Sequence, residues 1–274
     1  MPTVAVIIVT HEAGRFLSCC LDSLRGRNRV DQIIVVDAGS RDVATVRTQA
    51  LAGGADFIAM DNKGFSRANN TGYRNVLPGM DYVLFLNPDA FVTGGALRRA
   101  LEFMEAPEQE NTGCLTGRLL GCDPVSMQAT GRLDSTGIFR RWYGRWYDRG
   151  QGESDHGQYS RIEDVPAACG AFMLCRKRAL EQVAEGEDNI FDPDFFLYKE
   201  DIELSLRLSQ QGWGIRYHPG VAVLHCRGWQ ARKKMSQTMR LQAAASEVLL
   251  YRKHPSMYMV WALIKYSAVR FLNV

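Results

Sequence analysis

Carboxylates at one strand end and one helix start are the groups in this chain whose types and spacing suit chemistry. Asn87-Pro88-Asp89 follows the apolar run Tyr82 to Leu86. Pro88 fixes φ and stiffens the turn. Asp89 presents hard oxygen atoms of the kind that hold Mg²⁺ or Mn²⁺ together with phosphate oxygens. Taken alone, the tripeptide reads equally well as a strand-to-helix turn with Asp as a cap. Glu200-Asp201 opens a predicted helix. The helix N-terminus would keep a carboxylate there ionised, ready to take the proton of a hydroxyl nucleophile. Acid preference at any helix start produces the same pair. His225 closes a predicted strand, either hydrogen-bonded within the fold or reaching a metal or phosphate.

These groups need a scaffold, and the hydrophobic pattern supplies one. Val4 to Val9 is a continuous apolar run read as a strand buried on both faces, Ile33 to Val36 a second buried strand, Phe57 to Met60 a third short strand and Tyr82 to Leu86 a fourth. Helical spacing lies between them, in Phe16, Leu17, Cys20, Leu21 and Leu24, then in Phe65, Ala68, Asn69, Gly72, Tyr73 and Val76. Ser40 is expected to cap a helix over Val43 to Leu51, and Thr93 one carrying Leu97, Ala100, Leu101 and Met104. Strand and helix alternate, which predicts an α/β fold with a Rossmann-like, mostly parallel sheet flanked by helices. Ligands in such sheets bind beyond the carboxyl ends of the strands, where Thr10, Asp37, Asp61 and Asp89 fall.

The second half is less regular. Residues 121–165 are expected to form strand pieces and a mobile loop, Ala171 to Cys175 a buried strand, and Ile215 to Tyr217 and Val221 to Leu224 two short ones. The turn after the first strand, Thr10-His11-Glu12-Ala13-Gly14, contains no Gly-x-Gly-x-x-Gly, and no Walker A sequence occurs. A bound nucleotide therefore needs something other than a glycine loop, and a metal ion is the natural substitute. Seven cysteines without a Cys-x-x-Cys pair exclude zinc-ribbon and thioredoxin readings. They are expected to be reduced, partly buried thiols.

Charge separates the tail from the body. From Arg227 onward there are nine Lys/Arg and one acid, Glu247, although the whole chain is only +3. The start carries no signal-peptide pattern. Met257 to Leu272 is the most membrane-like stretch, but Lys265 and Arg270 interrupt it and it is too short to span. A cytoplasmic protein is expected, with residues 236–274 as a helical appendage. Its basic, aromatic composition suits an anionic membrane face on the inner side of the cytoplasmic membrane. Packing on the body or on a second copy in a homo-oligomer suits it nearly as well.

Five stretches carry a family likeness: Val35 to Asp42, Asn62 to Gly72, Leu86 to Asp89, Phe196 to Leu204, and His225 with Gly228. In this order the chain resembles the family-2 glycosyltransferases, particularly their rhamnosyltransferase-like branch, from Val4 to about Trp229. The resemblance implies a GT-A fold over residues 1–235, with a nucleotide-binding half (1–110) and an acceptor half (111–235). It also implies inverting transfer of a sugar from a dTDP-, UDP- or GDP-linked donor to a saccharide or lipid-linked acceptor in cell-surface polysaccharide assembly. Asp37 looks like the base-contacting aspartate, with Thr10 and Glu12 beside it. Asp61, Asn62, Gly64, Phe65, Arg67, Asn70 and Asn87 match the loops around the nucleotide-sugar. Asp89 and His225 match metal-contacting positions, and Asp201 matches the catalytic base, with Glu200 orienting the acceptor or a loop. The sequence departs from the family at Ala38, at His11-Glu12 and after His225. Its single carboxylate in Asn-Pro-Asp implies modest metal affinity.

Trp142, Tyr143, Arg145 and Trp146 offer aromatic faces and cations that suit a sugar or phosphate in an acceptor cleft. A packed surface loop is the plainer reading, and no nucleic-acid-binding signature accompanies them. Two other classes stay in view: a sugar nucleotidyltransferase, which needs a glycine-rich basic loop that Thr10 to Arg15 is not, and a sugar-nucleotide-binding protein without turnover.

Overall fold

The computed structural model describes residues 2–26, 30–186, 188–226 and 235–272. Four parallel strands form its first half: β1 (Val4–Thr10), β2 (Gln32–Ala38), β3 (Asp56–Met60) and β4 (Tyr82–Leu86), in the spatial order β3-β2-β1-β4. Parallel neighbours require crossovers, supplied by α1 (Gly14–Ser23), α2 (Val43–Ala52) and α3 (Phe65–Tyr73). Alternate residues of β1 enter different cores. Val4, Val6 and Ile8 pack with Leu17 and Leu21 of α1 and Val46 of α2. Ile7 and Val9 pack with Ala68 and Tyr73 of α3. Burial on both faces is why β1 reads as an unbroken apolar run.

Past β4 the chain adds β5 (Ala90–Val92), α4 (Ala96–Met104), β6 (Thr112–Cys122), β7 (Ala129–Ser135), β8 (Ile138–Arg140), β9 (Trp146–Asp148), β10 (Glu163–Asp164), β11 (Phe172–Arg176), α5 (Lys177–Val183), α6 (Glu200–Gln210) and β12 (Gly214–His225). The sheet grows outward from β4 as β4-β11-β6-β12-β10, with β11 antiparallel between β4 and β6, and β12 parallel to β6. Where two short strands were expected, β12 is one strand whose register slips between His218 and Ala222. Pro219-Gly220 sits in that gap, and a bulge there lets the strand continue. The appendage consists of α7 (Gln237–Lys253), α8 (Met259–Ser267) and a π-helical turn, Ala268–Leu272. Among the described residues no helix is long and apolar enough to cross a membrane.

Three local expectations are corrected. The cap of α2 is Asp42, whose side chain accepts from Thr45 N–H at 3.1 Å; Ser40 instead bonds Asp37. The residue capping α4 is Gly95, and the Thr93 hydroxyl donates to Ala222 C=O at 2.8 Å, tying the turn to β12. Cys122 and Cys226 form a disulfide across 104 residues, so not every thiol is free. They meet because β6 and β12 are parallel neighbours that end side by side, His225 pairing with Gly121.

Candidate active site

A cavity of about 870 Å³ opens where the strand ends, the start of α6, the β8–β9 hairpin and the appendage converge. Of the residues singled out from the sequence, Phe65, Asn87, Asp89, Arg145, Trp146, Glu200, Asp201 and His225 line it. On one side, His225 Nε2 lies 3.4 Å from Asp89 Oδ1. The other His225 nitrogen, Nδ1, lies 2.7 Å from Asp134 Oδ2, and both residues are buried. Cys226 N–H donates to Asp89 C=O at 2.8 Å, which fixes the two strand ends against each other. Burial alone would lower the His225 pKa, but hydrogen bonds to Asp134 and Asp89 outweigh it and push it up to about 9.

That shift fixes a stability slope. A histidine whose pKa rises on folding from 6.5 to about 9 adds stability that is complete below pH 6.5 and lost as pH climbs through about 9. In metal-free protein the melting temperature is expected to fall over that window, by the equivalent of a few kcal/mol at most. His225→Gln should flatten this part of the curve in thermal melts run from pH 6 to 10. A wild-type curve that is already flat there would refute the assignment.

In the same cavity, Asp201 Oδ2 accepts from Gly170 N–H at 3.0 Å and Oδ1 from Ile202 N–H at 2.8 Å. Against the expectation from the helix N-terminus alone, the Asp201 pKa is raised. Burial is the main cause and the Asp148 charge adds to it, while Gly170 N–H, Lys199 and Ile202 N–H pull the other way. A β-carbon on Gly170 would stand 3.3 Å from Asp201 Cβ and Oδ2, so only glycine gives the carboxylate its place without displacement. Tyr198 and Lys199, with φ of 70° and 72°, enter α6 through two consecutive left-handed residues. Such backbone costs roughly 1–3 kcal/mol per residue and turns Glu200-Asp201 into the cavity. Glu200 is buried and lines the same wall.

A second group sits one strand over, at the ends of β1, β2 and β3. Thr10 pairs in register with Asp37, and its buried hydroxyl has no hydrogen-bond partner among the described residues. Asp37 accepts from Ser40 N–H at 3.0 Å and from the Ser40 hydroxyl at 2.5 Å, so it braces its own turn. Glu12, at φ 55°, receives Arg41 N–H and Nε–H, which hold its carboxyl below the usual range. Asn62 bonds Gly64 N–H and approaches His11 Nε2 at 3.4 Å. Asp61 and Arg67 are exposed. Gly64, at φ 96°, abuts Phe196, where an added β-carbon would come within 2.7 Å of the Phe196 carbonyl oxygen.

Asn70, Trp142 and Tyr143 are not in the cavity lining, nor are Thr10, Glu12, Asp37, Asp61, Asn62, Gly64 and Arg67 of the second group. The Asn70 side chain is occupied by Phe191 N–H and C=O and by Asn189, holding the loop before α6. Trp142 is 85% exposed and outside the cavity lining, and Tyr143 reaches it only through an edge contact with Trp261. The hairpin turn between β8 and β9 points these two rings outward while Arg145 and Trp146 point in. Gly228 and Trp229 lie outside the described residues. Sequence reasoning missed Asp134, Asp148, Gly170, Arg240, Trp261 and Lys265, all but Asp134 in the cavity lining. None belongs to a recognisable local pattern. Asp134 is found only through pairing, since β7 and β12 flank β6.

Comparison with known proteins follows the geometry. Residues 2–246 match the family model "Glycosyltransferase like family 2". The chain is 27% identical over 259 residues to rhamnosyltransferase WbbL of Escherichia coli K12, covering 91% of this chain and 93% of that protein. It is 26% identical to a pre-mycofactocin glycosyltransferase of Mycobacterium tuberculosis, covering 84% of this chain and 45% of the relative. Among solved structures, GalNAc-T7 with UDP, GalNAc and Mn²⁺ superposes with a TM-score of 0.70 at 15% identity, over 98% of this chain and half of that one. The mannosyltransferase PcManGT from Pyrobaculum calidifontis with GDP-Man and Mn²⁺ gives 0.62 at 16% identity, over 99% and 71% of the two chains.

Proposed function

Because the chain belongs to the family described as glycosyltransferase like family 2, we propose that its cavity moves a sugar from a nucleoside-diphosphate sugar to an acceptor hydroxyl with inversion. The fold is that of the GT-A glycosyltransferases. One observation carries the reading: Asp201, Asp89 and His225 line a single cavity. Asp201 takes the proton of the acceptor hydroxyl as its oxygen bonds to the anomeric carbon. The bond from that carbon to the phosphate oxygen breaks, and its electron pair leaves with the nucleoside diphosphate. One base on one side of the sugar and the leaving group on the other is the geometry of a single inverting displacement.

A divalent ion fits the Asp89–His225 pair in part. Asp89 and His225 offer one oxygen and one nitrogen, and among the described residues no group of three or more His, Cys, Asp or Glu converges. Mg²⁺ and Mn²⁺ are commonly held by one or two protein groups with substrate phosphates and water completing the shell. Bound there, the ion supplies charge neutralisation to the departing diphosphate. Asp134 holds the His225 ring in place. The shelf of Thr10, Glu12, Asp37 and Asn62 takes the nucleoside, and Trp146 and Arg145 take the acceptor. Rhamnose is the sugar favoured, on the strength of the WbbL relative, and the product belongs to cell-surface polysaccharide.

Incubation with Mn²⁺, a panel of dTDP-, UDP- and GDP-sugars and saccharide acceptors tests this. Acceptor-dependent release of nucleoside diphosphate is expected from one donor. Donor binding without release would make the chain a binding protein. Release of pyrophosphate from a nucleoside triphosphate and a sugar phosphate would make it a nucleotidyltransferase.

A further inference from the structure

Helix α8 is inside out for a protein surrounded by water. Val260, Leu263 and Ile264 point outward, 63%, 49% and 59% exposed, and Phe271 in the following turn is 74% exposed. Met257 precedes them at 83%. Within α8, Val260 and Ile264 lie on one face at i, i+4 spacing, and Met257 and Phe271 flank the helix at its two ends. The polar residue of α8 is turned the other way: Lys265 faces the protein, paired with buried Glu247 of α7, and with Trp261 it lines the catalytic cavity. Beside α8, exposed Trp142 of the β8–β9 hairpin meets Tyr143 edge-on at 5.4 Å, and Tyr143 meets Trp261 at 5.0 Å.

Size and charge identify what covers it. Met257 to Phe271 spans about 22 Å at about 1.5 Å per residue. With a width of about 10 Å, the stripe offers on the order of 200 Å², far below the ~800 Å² per partner of a stable protein interface. A bilayer needs no such area or matching shape; it takes an isolated apolar stripe rimmed by aromatic and basic side chains. Arg270 sits at the edge of the stripe, donating to Tyr266 Oη at 3.0 Å and lying 5.5 Å from the Phe271 ring centre, and exposed Arg141 precedes Trp142. Of the bases from Ser236 to Leu272, Lys253 pairs with Asp192 and Asp194, Lys265 pairs with Glu247 and Arg240 lines the cavity, while Arg252 and Arg270 are exposed.

We propose that the outer face of α8 lies on an anionic lipid bilayer, so that the cavity walled by its inner face opens at headgroup level towards an acceptor anchored in that bilayer. The second half of this statement rests on the glycosyl-transfer reading; the first does not.

Co-sedimentation with phosphatidylcholine vesicles, with and without phosphatidylglycerol, tests it on the full chain. Wild type is expected to pellet with the phosphatidylglycerol vesicles and much less with phosphatidylcholine alone. The double variant Ile264→Glu, Phe271→Glu replaces exposed side chains outside the cavity lining. It should lose vesicle binding at least tenfold while keeping its melting temperature, its donor binding and its transfer to a soluble acceptor in the absence of vesicles. Wild type that stays in the supernatant overturns the proposal, as does a variant that pellets equally well. A dimer by light scattering that the variant breaks, with no vesicle binding, overturns it too and gives the face to a second copy. Vesicle binding without diphosphate release from any donor would sink the transfer reading and leave the membrane face standing.

Discussion

Asp201→Asn is expected to bind donor like the wild type and to transfer sugar ~10²–10⁴-fold more slowly, the usual contribution of a positioned general base. The substitution is nearly isosteric. One side-chain oxygen still accepts from Gly170 N–H, so the wall of the cavity keeps its shape. What disappears is the group that receives the acceptor proton. Burial first, and Asp148 with it, hold the Asp201 pKa above the ordinary carboxylate range. The base works only when deprotonated, so the acid limb of kcat should lie at higher pH than an exposed aspartate would give. In Asp148→Asn that limb should move to lower pH, because one of the charges opposing ionisation has gone. Single-turnover transfer measured from pH 4 to 8 on the three proteins decides the matter. Undiminished transfer by Asp201→Asn would remove Asp201 from the mechanism.

The second large effect concerns Asp89. Asp89→Ala removes the only carboxylate of Asn87-Pro88-Asp89, and calorimetric titration should no longer show any gain in nucleoside-diphosphate affinity on adding Mn²⁺. Asp134→Asn is the subtler companion. Asp134 lies 2.7 Å from the far nitrogen of His225. Partners that orient a metal-binding imidazole typically contribute 10–100-fold in metal affinity. A loss of that size in Asp134→Asn, with metal-free nucleotide binding unchanged, would mark it as a positioning residue. Metal-dependent affinity that survives in Asp89→Ala would place the ion elsewhere.

Part of this site was legible in the chain because its signals are local. Strands β1, β2 and β4 announce themselves as apolar runs, since each is buried almost throughout, while β3 is a half-exposed edge strand. Asp89 and Asp201 were visible as acids at the end of one such run and at the start of a helix. Capping was harder. Ser40, Asp42, Thr93 and Gly95 all suit a helix start, and which one serves depends on the backbone N–H that the tertiary trace brings within reach.

The sequence by itself determined the α/β scaffold, the strand ends where polar groups collect, and the acids placed there. Only the tertiary structure decided how those acids are used. Insertion of antiparallel β11 between β4 and β6 pairs residues 59 to 94 positions apart in the chain. That arrangement joins Cys122 to Cys226, sets Asp134 against His225 and puts Gly170 under Asp201. It also fixed the facing of α8. Composition counts apolar and basic residues, but which side of the helix meets the protein depends on where Glu247 waits for Lys265. Local pattern sets which elements form; contacts between distant residues set which side chains meet, and chemistry needs the latter.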